Sequence, residues 1–129
     1  MDLTERTAAL KAILDAKPGA VGEPMSMPKT SPPSVLLYKV KGKMFAILSI
    51  RRLENVILKC DPHLAEVLRE QYAGVGHRSH LDRRFWISVD LASDVPPDEI
   101  ERLAAHSYDL VCAGLTRKQK AELAALAGG

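Results

Sequence analysis

Two runs of β-branched and apolar residues, Val35–Val40 and Lys43–Ile50, are separated by only Lys41-Gly42. Two residues ending in glycine form a tight hairpin turn, so these runs can hardly fold other than as adjacent antiparallel strands. A second short turn, Arg51-Arg52-Leu53, leads into Glu54–Cys60. There Val56, Leu58 and Cys60 alternate with Asn55, Ile57 and Lys59, as in a strand with one face on a core. Three consecutive strands with short turns make an antiparallel meander.

Helices flank that meander. Thr4 can cap a helix over residues 4–16, with Ala8, Ala9, Leu10, Ile13 and Leu14 on its apolar face and Lys17-Pro18-Gly19 ending it. From 18 to 34 the chain reads as a proline-rich loop, with a short edge strand near Glu23 to Met27. There Met25 and Met27 share one face, suited to filling a core gap. Asp61-Pro62 opens a helix carrying Leu64, Ala65, Val67 and Leu68 to about Tyr72. Gly74 and Gly76 lie in the connection to a further strand, Phe85–Val89, with Leu91 at its edge.

Pro96-Pro97-Asp98-Glu99 starts the longest helix, with Ile100, Leu103, Ala104, Ser107, Leu110 and Val111 as its inner stripe and Gly114 as a left-handed stop. Thr116 and Gln119 match a capping box for a last helix bearing Leu123 and Leu126. The expected fold is α+β, an antiparallel sheet of about four to six strands packed against helices. At 129 residues the chain fits a single domain spanning 1–129.

Composition narrows the function classes. With 47% hydrophobic and 26% charged residues, and no apolar run near the ~20 of a membrane span, the chain reads as an ordinary globular protein. The polar start Met1-Asp2-Leu3-Thr4-Glu5-Arg6 lacks a signal-peptide pattern, which gives cytoplasm as the expectation. Cys60 and Cys112 read as buried free thiols, with too few ligands in register for zinc. The net charge of +2 is small, but the cations are clustered at Arg51-Arg52, Arg78 to Arg84 and Arg117 to Lys120.

The densest chemistry lies between His77 and Trp86, which hold two of the four histidines, three arginines and the only tryptophan. Guanidinium pairs with phosphate oxygens and flat rings stack on bases, so the stretch suits nucleic-acid contacts. The plainer reading has Trp86 anchoring the sheet core and the arginines solvating a loop. His77 and His80 lack a further spaced ligand, so no metal is expected; His80 reads as fixing the turn or meeting phosphate. Ser79 beside His80, and His106 beside Ser107, come without a nucleophile elbow, and no phosphate-cradling glycine loop is present. The chain reads as a non-enzyme without a cofactor. Within the longest helix, Tyr108 should pack its ring and find a partner for its hydroxyl, and Asp109 needs a basic or backbone partner, with Arg83 or Arg84 the candidates.

Four segments resemble the MmcQ/YjbR family of small bacterial proteins: Lys41-Gly42-Lys43-Met44-Phe45-Ala46, Leu58-Lys59-Cys60-Asp61-Pro62, His80-Leu81-Asp82-Arg83-Arg84-Phe85-Trp86 and Ser107-Tyr108-Asp109-Leu110-Val111. The resemblance implies a frataxin-like α+β fold in a double-wing arrangement and a DNA-binding role. The family's central motif usually reads His-Leu-Asn-Lys-x-His-Trp; this chain keeps His80, Leu81 and Trp86, has Arg83 for lysine, and departs from it at Asp82 and Phe85. The loop at 24–33 also lacks the family's Pro-Phe-Gly segment. An aspartate repels phosphate, which weighs against contact at position 82.

The expected DNA-contacting set is Lys43, Arg51, Arg52, Arg78, His80, Arg83, Arg84 and Trp86, with Lys41 at the same turn as Lys43. The basic hairpin tips of a monomer would straddle DNA as wings and grip phosphates. The alternative is a non-enzymatic protein-interaction or small-ligand domain whose motif residues hold the fold. A continuous positive face shared by both hairpins favours DNA; a deep apolar pocket beside Trp86 and His80 favours a ligand.

Overall fold

The computed structural model describes residues 3–26, 32–51 and 53–127. The first helix, α1 (Glu5–Asp15), is capped by Thr4, whose hydroxyl accepts the Thr7 N–H at 3.2 Å. Four consecutive strands follow, β1 (Ala20–Met25), β2 (Val35–Val40), β3 (Lys43–Ser49) and β4 (Asn55–Lys59). After them come α2 (Pro62–Gln71), β5 (Val75–Gly76), β6 (Trp86–Asp90), α3 (Pro97–Ala113) and α4 (Arg117–Ala127). Among the described residues the strands form one antiparallel six-stranded sheet in the order β1-β2-β3-β4-β6-β5. The fold class is α+β, as expected.

The β2–β3 turn has both central residues in the left-handed region, Lys41 at φ 51° and Gly42 at φ 78°. That is the twist a two-residue hairpin loop requires. Asp61 accepts the N–H groups of His63 and Leu64, each at 3.1 Å, and so caps α2. Thr116 and Gln119 exchange reciprocal bonds of 3.1 and 3.0 Å, forming the anticipated capping box of α4.

Strand alternation divides the sheet into two unlike faces. Leu36, Tyr38, Val40, Leu48, Val56, Leu58, Ile87 and Val89 are buried on the face that receives the helices, with α3 lying across β2, β3 and β4. Leu37, Ile47 and Ile57 stand side by side in register on the other face and are only half-buried. Tyr108 packs its ring edge-on to Phe45, with centroids 5.3 Å apart, and donates its hydroxyl to the Pro18 carbonyl at 2.5 Å.

Several local expectations are corrected. Residues 20–25 are not loop but the full edge strand β1, paired residue for residue with β2. Gly19 at φ 71° turns the chain into it, Gly22 leaves room for the Tyr38 ring, and Pro24 is tolerated because the strand is an edge. Met25 is 40% exposed on that strand rather than filling a core gap, and Met27 lies outside the described residues. Gly114 closes α3 at φ −87°, not in the left-handed region, and Leu126 is exposed while Leu123 is buried. Trp86 is half-buried at the first position of β6; Ile87 and Val89 supply that strand's core contacts instead.

Candidate nucleic-acid interface

The antiparallel register decides which cations can act together. Val40 pairs with Lys43, Ala46 with Leu58, and Lys59 with Trp86. The start of β3, the end of β4 and the start of β6 therefore lie at one end of the sheet. Lys43, Lys59, Arg78, Arg83, Arg84 and Trp86 are at or beside that end. Arg51 follows the opposite end of β3, and seven strand residues at about 3.3 Å each keep the two turns on the order of 20 Å apart. Arg51 reaches the neighbouring β1–β2 connection, donating to the Pro32 carbonyl at 3.5 Å. The two basic turns lie at opposite ends of the sheet, and Arg52 lies outside the described residues.

Within the basic end, the arginines differ in how they are engaged. Arg84 is tied to Asp82, with Nε at 3.2 Å and a terminal nitrogen at 2.8 Å, and its guanidinium lies 5.3 Å from the Phe85 ring centroid. The Arg84 side chain and its backbone N–H together pull the Asp82 carboxyl down to about 2. The aspartate that departs from the family motif thus neutralises the neighbouring arginine. Arg78 and Arg83 are exposed, and neither has an ion-pair partner among the described residues. The same holds for Lys43 and half-buried Lys59, whereas Lys41 reaches Glu122 on α4 at 3.4 Å.

Turn geometry assigns the histidines. His77 fixes the turn, its Nε2 standing 2.6 Å from the Leu81 carbonyl oxygen. His80, expected in that role, is exposed and makes no side-chain hydrogen bond among the described residues. The expected pairing of Asp109 with Arg83 or Arg84 does not form among the described residues: Asp82, two residues away, holds Arg84, and Arg83 makes no ion pair.

Two residues that the sequence did not single out shape this end. Arg69 on α2 donates to the carbonyls of Arg83 at 2.7 Å and Trp86 at 3.0 Å, pinning the 77–86 stretch at both ends of its last turn. Its Nε is buried without a partner, and burial, with Arg83 adding, lowers its pKa. The available signal was spacing, since Arg69 falls four residues after buried Ala65 on the inward side of α2. Lys59 is the second, placed beside Trp86 by the β4–β6 register.

An open cavity of about 380 Å³ lies at the same end, between the β4–α2 junction, the start of β6 and α3. Lys59, Asp61, Pro62, Phe85, Trp86 and Leu110 line it. Cys60 also borders it, but burial pushes that thiol up to about 11 and Asp61 adds to the effect, which leaves no thiolate for chemistry near neutrality. Three of the four segments carrying the family resemblance meet around this cavity.

A family model described as YjbR matches residues 15–110. The chain belongs to the YjbR family. The uncharacterized protein YjbR of Escherichia coli (strain K12) is 37% identical over 73 residues, 54% of this chain and 60% of that relative. The chain thus matches less than two thirds of that YjbR's length. The uncharacterized protein YbdF of Escherichia coli O157:H7 is 26% identical over 89 residues, covering 68% of this chain and 73% of YbdF. Protein DR2400 of Deinococcus radiodurans, whose crystal structure is assigned to the DUF419 family, superposes with a TM-score of 0.77 at 28% identity, over 90% of this chain and 86% of that one. A Pseudomonas syringae crystal structure superposes with a TM-score of 0.61 at 22% identity, over 78% and 96% respectively, a likeness of fold alone. Among the described residues of this YjbR-family chain, no helix is long and apolar enough to cross a membrane.

Proposed function

We propose that this YjbR-family protein is a non-enzymatic DNA-binding module that holds the phosphate backbone with one end of its sheet. The observation that supports this is the gathering of Lys43, Lys59, Arg78 and Arg83 there, exposed or half-exposed and free of carboxylate partners among the described residues. Cations of that kind exchange condensed counterions for phosphates, so binding follows the salt concentration and reads little sequence. Arg84 contributes less, because Asp82 already holds it. Arg51, at the far end, lies outside the footprint.

The test is fluorescence anisotropy of labelled random-sequence DNA at low and moderate salt. Salt-sensitive binding that weakens in Arg78→Ala/Arg83→Ala and persists in Arg51→Ala supports the reading. No binding at low salt ends it.

The cavity beside Trp86 favours a second reading, a protein-interaction or small-ligand domain. Under that reading the cations would be solvated surface, and DNA would not compete for the cavity.

A further inference from the structure

We infer that the cavity beside Trp86 receives a single unpaired nucleobase, so that the preferred DNA is single-stranded rather than duplex. The inference rests on the DNA-binding reading and adds a base subsite to it. Four features of the cavity argue for such an occupant. Its volume of about 380 Å³ falls in the range of small-ligand sites and is open enough for a base that remains joined to its chain. Its walls include Phe85, Trp86, Pro62 and Leu110, which offer flat or apolar contact to a ring. Phe85 is 38% exposed, with the Arg84 guanidinium 5.3 Å from its ring centroid, so part of a large aromatic surface meets solvent in a domain that buries Tyr38, Phe45 and Tyr108. Two polar groups complete the wall, the Lys59 ammonium and the Asp61 carboxylate.

The Asp61 carboxylate uses one oxygen, Oδ2, to accept both capping N–H groups of α2. Its Oδ1 makes no hydrogen bond among the described residues and can accept an amino or imino hydrogen from a base edge. Lys59 supplies a donor for a base carbonyl or for the adjoining phosphate. A second cavity, of about 340 Å³, shares Pro62 with the first and is lined by Arg69, Arg83 and Arg84 together with Glu66 and Glu70. Of these, Arg83 is exposed and without an ion-pair partner among the described residues, and it is the cation that a strand whose base enters the first cavity meets along its backbone path. A duplex cannot present a base this way without unpairing it, which costs free energy. Stacking on an aromatic side chain is tolerant of sequence because every base has a flat face.

The experiment compares three labelled DNAs of equal length: a mixed-sequence single strand, its duplex, and a single strand of abasic residues that keeps the phosphates but has no bases. Trp86, the only tryptophan, reports from the cavity wall through its fluorescence. The single strand should bind about tenfold more tightly than the abasic strand, a ratio within the range of one base stack. It should also bind more tightly than the duplex and quench Trp86, while the abasic strand leaves Trp86 unchanged. Phe85→Ala should remove the single-strand advantage without changing abasic affinity. Leu110→Phe, which narrows the cavity from α3, should do the same and serves where Phe85→Ala fails to fold.

Equal affinity for single and abasic strands, or a preference for duplex, overturns the base subsite and leaves the phosphate grip standing. Absence of binding to all three at low salt overturns both.

Discussion

Ser107 reaches from α3 to the carbonyl of Phe45, 62 residues away in sequence, and donates a hydrogen bond of 2.5 Å. The same oxygen accepts the Lys59 N–H at 2.9 Å, so one buried hydroxyl bridges β3 and β4 just beyond their last ladder pair, Ala46–Leu58. Replacing Ser107 by alanine strands a carbonyl and an N–H away from water. The expected cost is about 1–3 kcal/mol, seen as a lower urea midpoint with an unchanged denaturant slope. An unchanged midpoint would show that water replaces the hydroxyl.

The cations at the two ends of β3 should separate cleanly in binding assays. Loss of both Arg78 and Arg83 should weaken DNA binding and flatten the plot of log affinity against log salt by about one to two units. Arg51→Ala should leave both quantities as they were. A comparable loss from Arg51→Ala would mean that the footprint wraps the full length of the strand.

Asp82 controls how much charge the basic end displays. Its folded pKa of about 2 lies below the ordinary 3.8, because Arg84 bonds and faces the ionised form. A lowered carboxylate pKa makes the ion pair's contribution complete above about pH 4, and the contribution is lost as pH falls through the folded value. The Asp82 carboxyl carbon, followed by NMR, should titrate near pH 2 and move back toward the ordinary range in Arg84→Ala. Asp82→Asn should release Arg84 and raise DNA affinity at low salt. If the Asp82→Asn substitution leaves affinity unchanged, Arg84 has no place in the interface.

Gly74 has no room for a side chain. A Cβ there would collide with the Ser93 hydroxyl and stand 2.5 Å from the Ser93 Cβ, in a loop where Asp94 accepts the Ala73 and Gly74 N–H groups at 2.8 Å each. Gly74→Ala should displace that loop, break these caps and cost about 1–3 kcal/mol in thermal or chemical unfolding. Wild-type stability in that variant would mean that the Ser93 side chain turns away without penalty.

The elements stabilised by neighbours in sequence were legible without coordinates. The Lys41-Gly42 turn, the caps at Thr4 and Asp61 and the Thr116–Gln119 box all depend on residues within four positions of one another. β1 was blurred because Gly22 and Pro24 carry the composition of a loop, and only pairing with β2 makes them a strand. At the candidate site the cations were visible as a cluster, but their division between two ends of the sheet follows from register. The Arg69 clamp and the place of Lys59 beside Trp86 arise only when β6 docks on β4, so local patterning carries no trace of them.

The strand order has a consequence for the order of assembly. β1 to β4 pair strictly with their neighbours in the chain, through connections of nine, two and five residues, whereas Trp86 must find Lys59 across the whole of α2 and β5. Short closures cost less entropy and complete sooner than long ones. The meander can therefore exist as a template before β6 is added, and the His77–Trp86 stretch is the seam at which the late half is stitched to the early half. Breathing at that seam would open the sheet at its β6 border while the four-strand meander stayed intact. Amide exchange should accordingly be faster in β5 and β6 than in β3, and the surface proposed to meet DNA would be the part of the sheet most able to adjust to it.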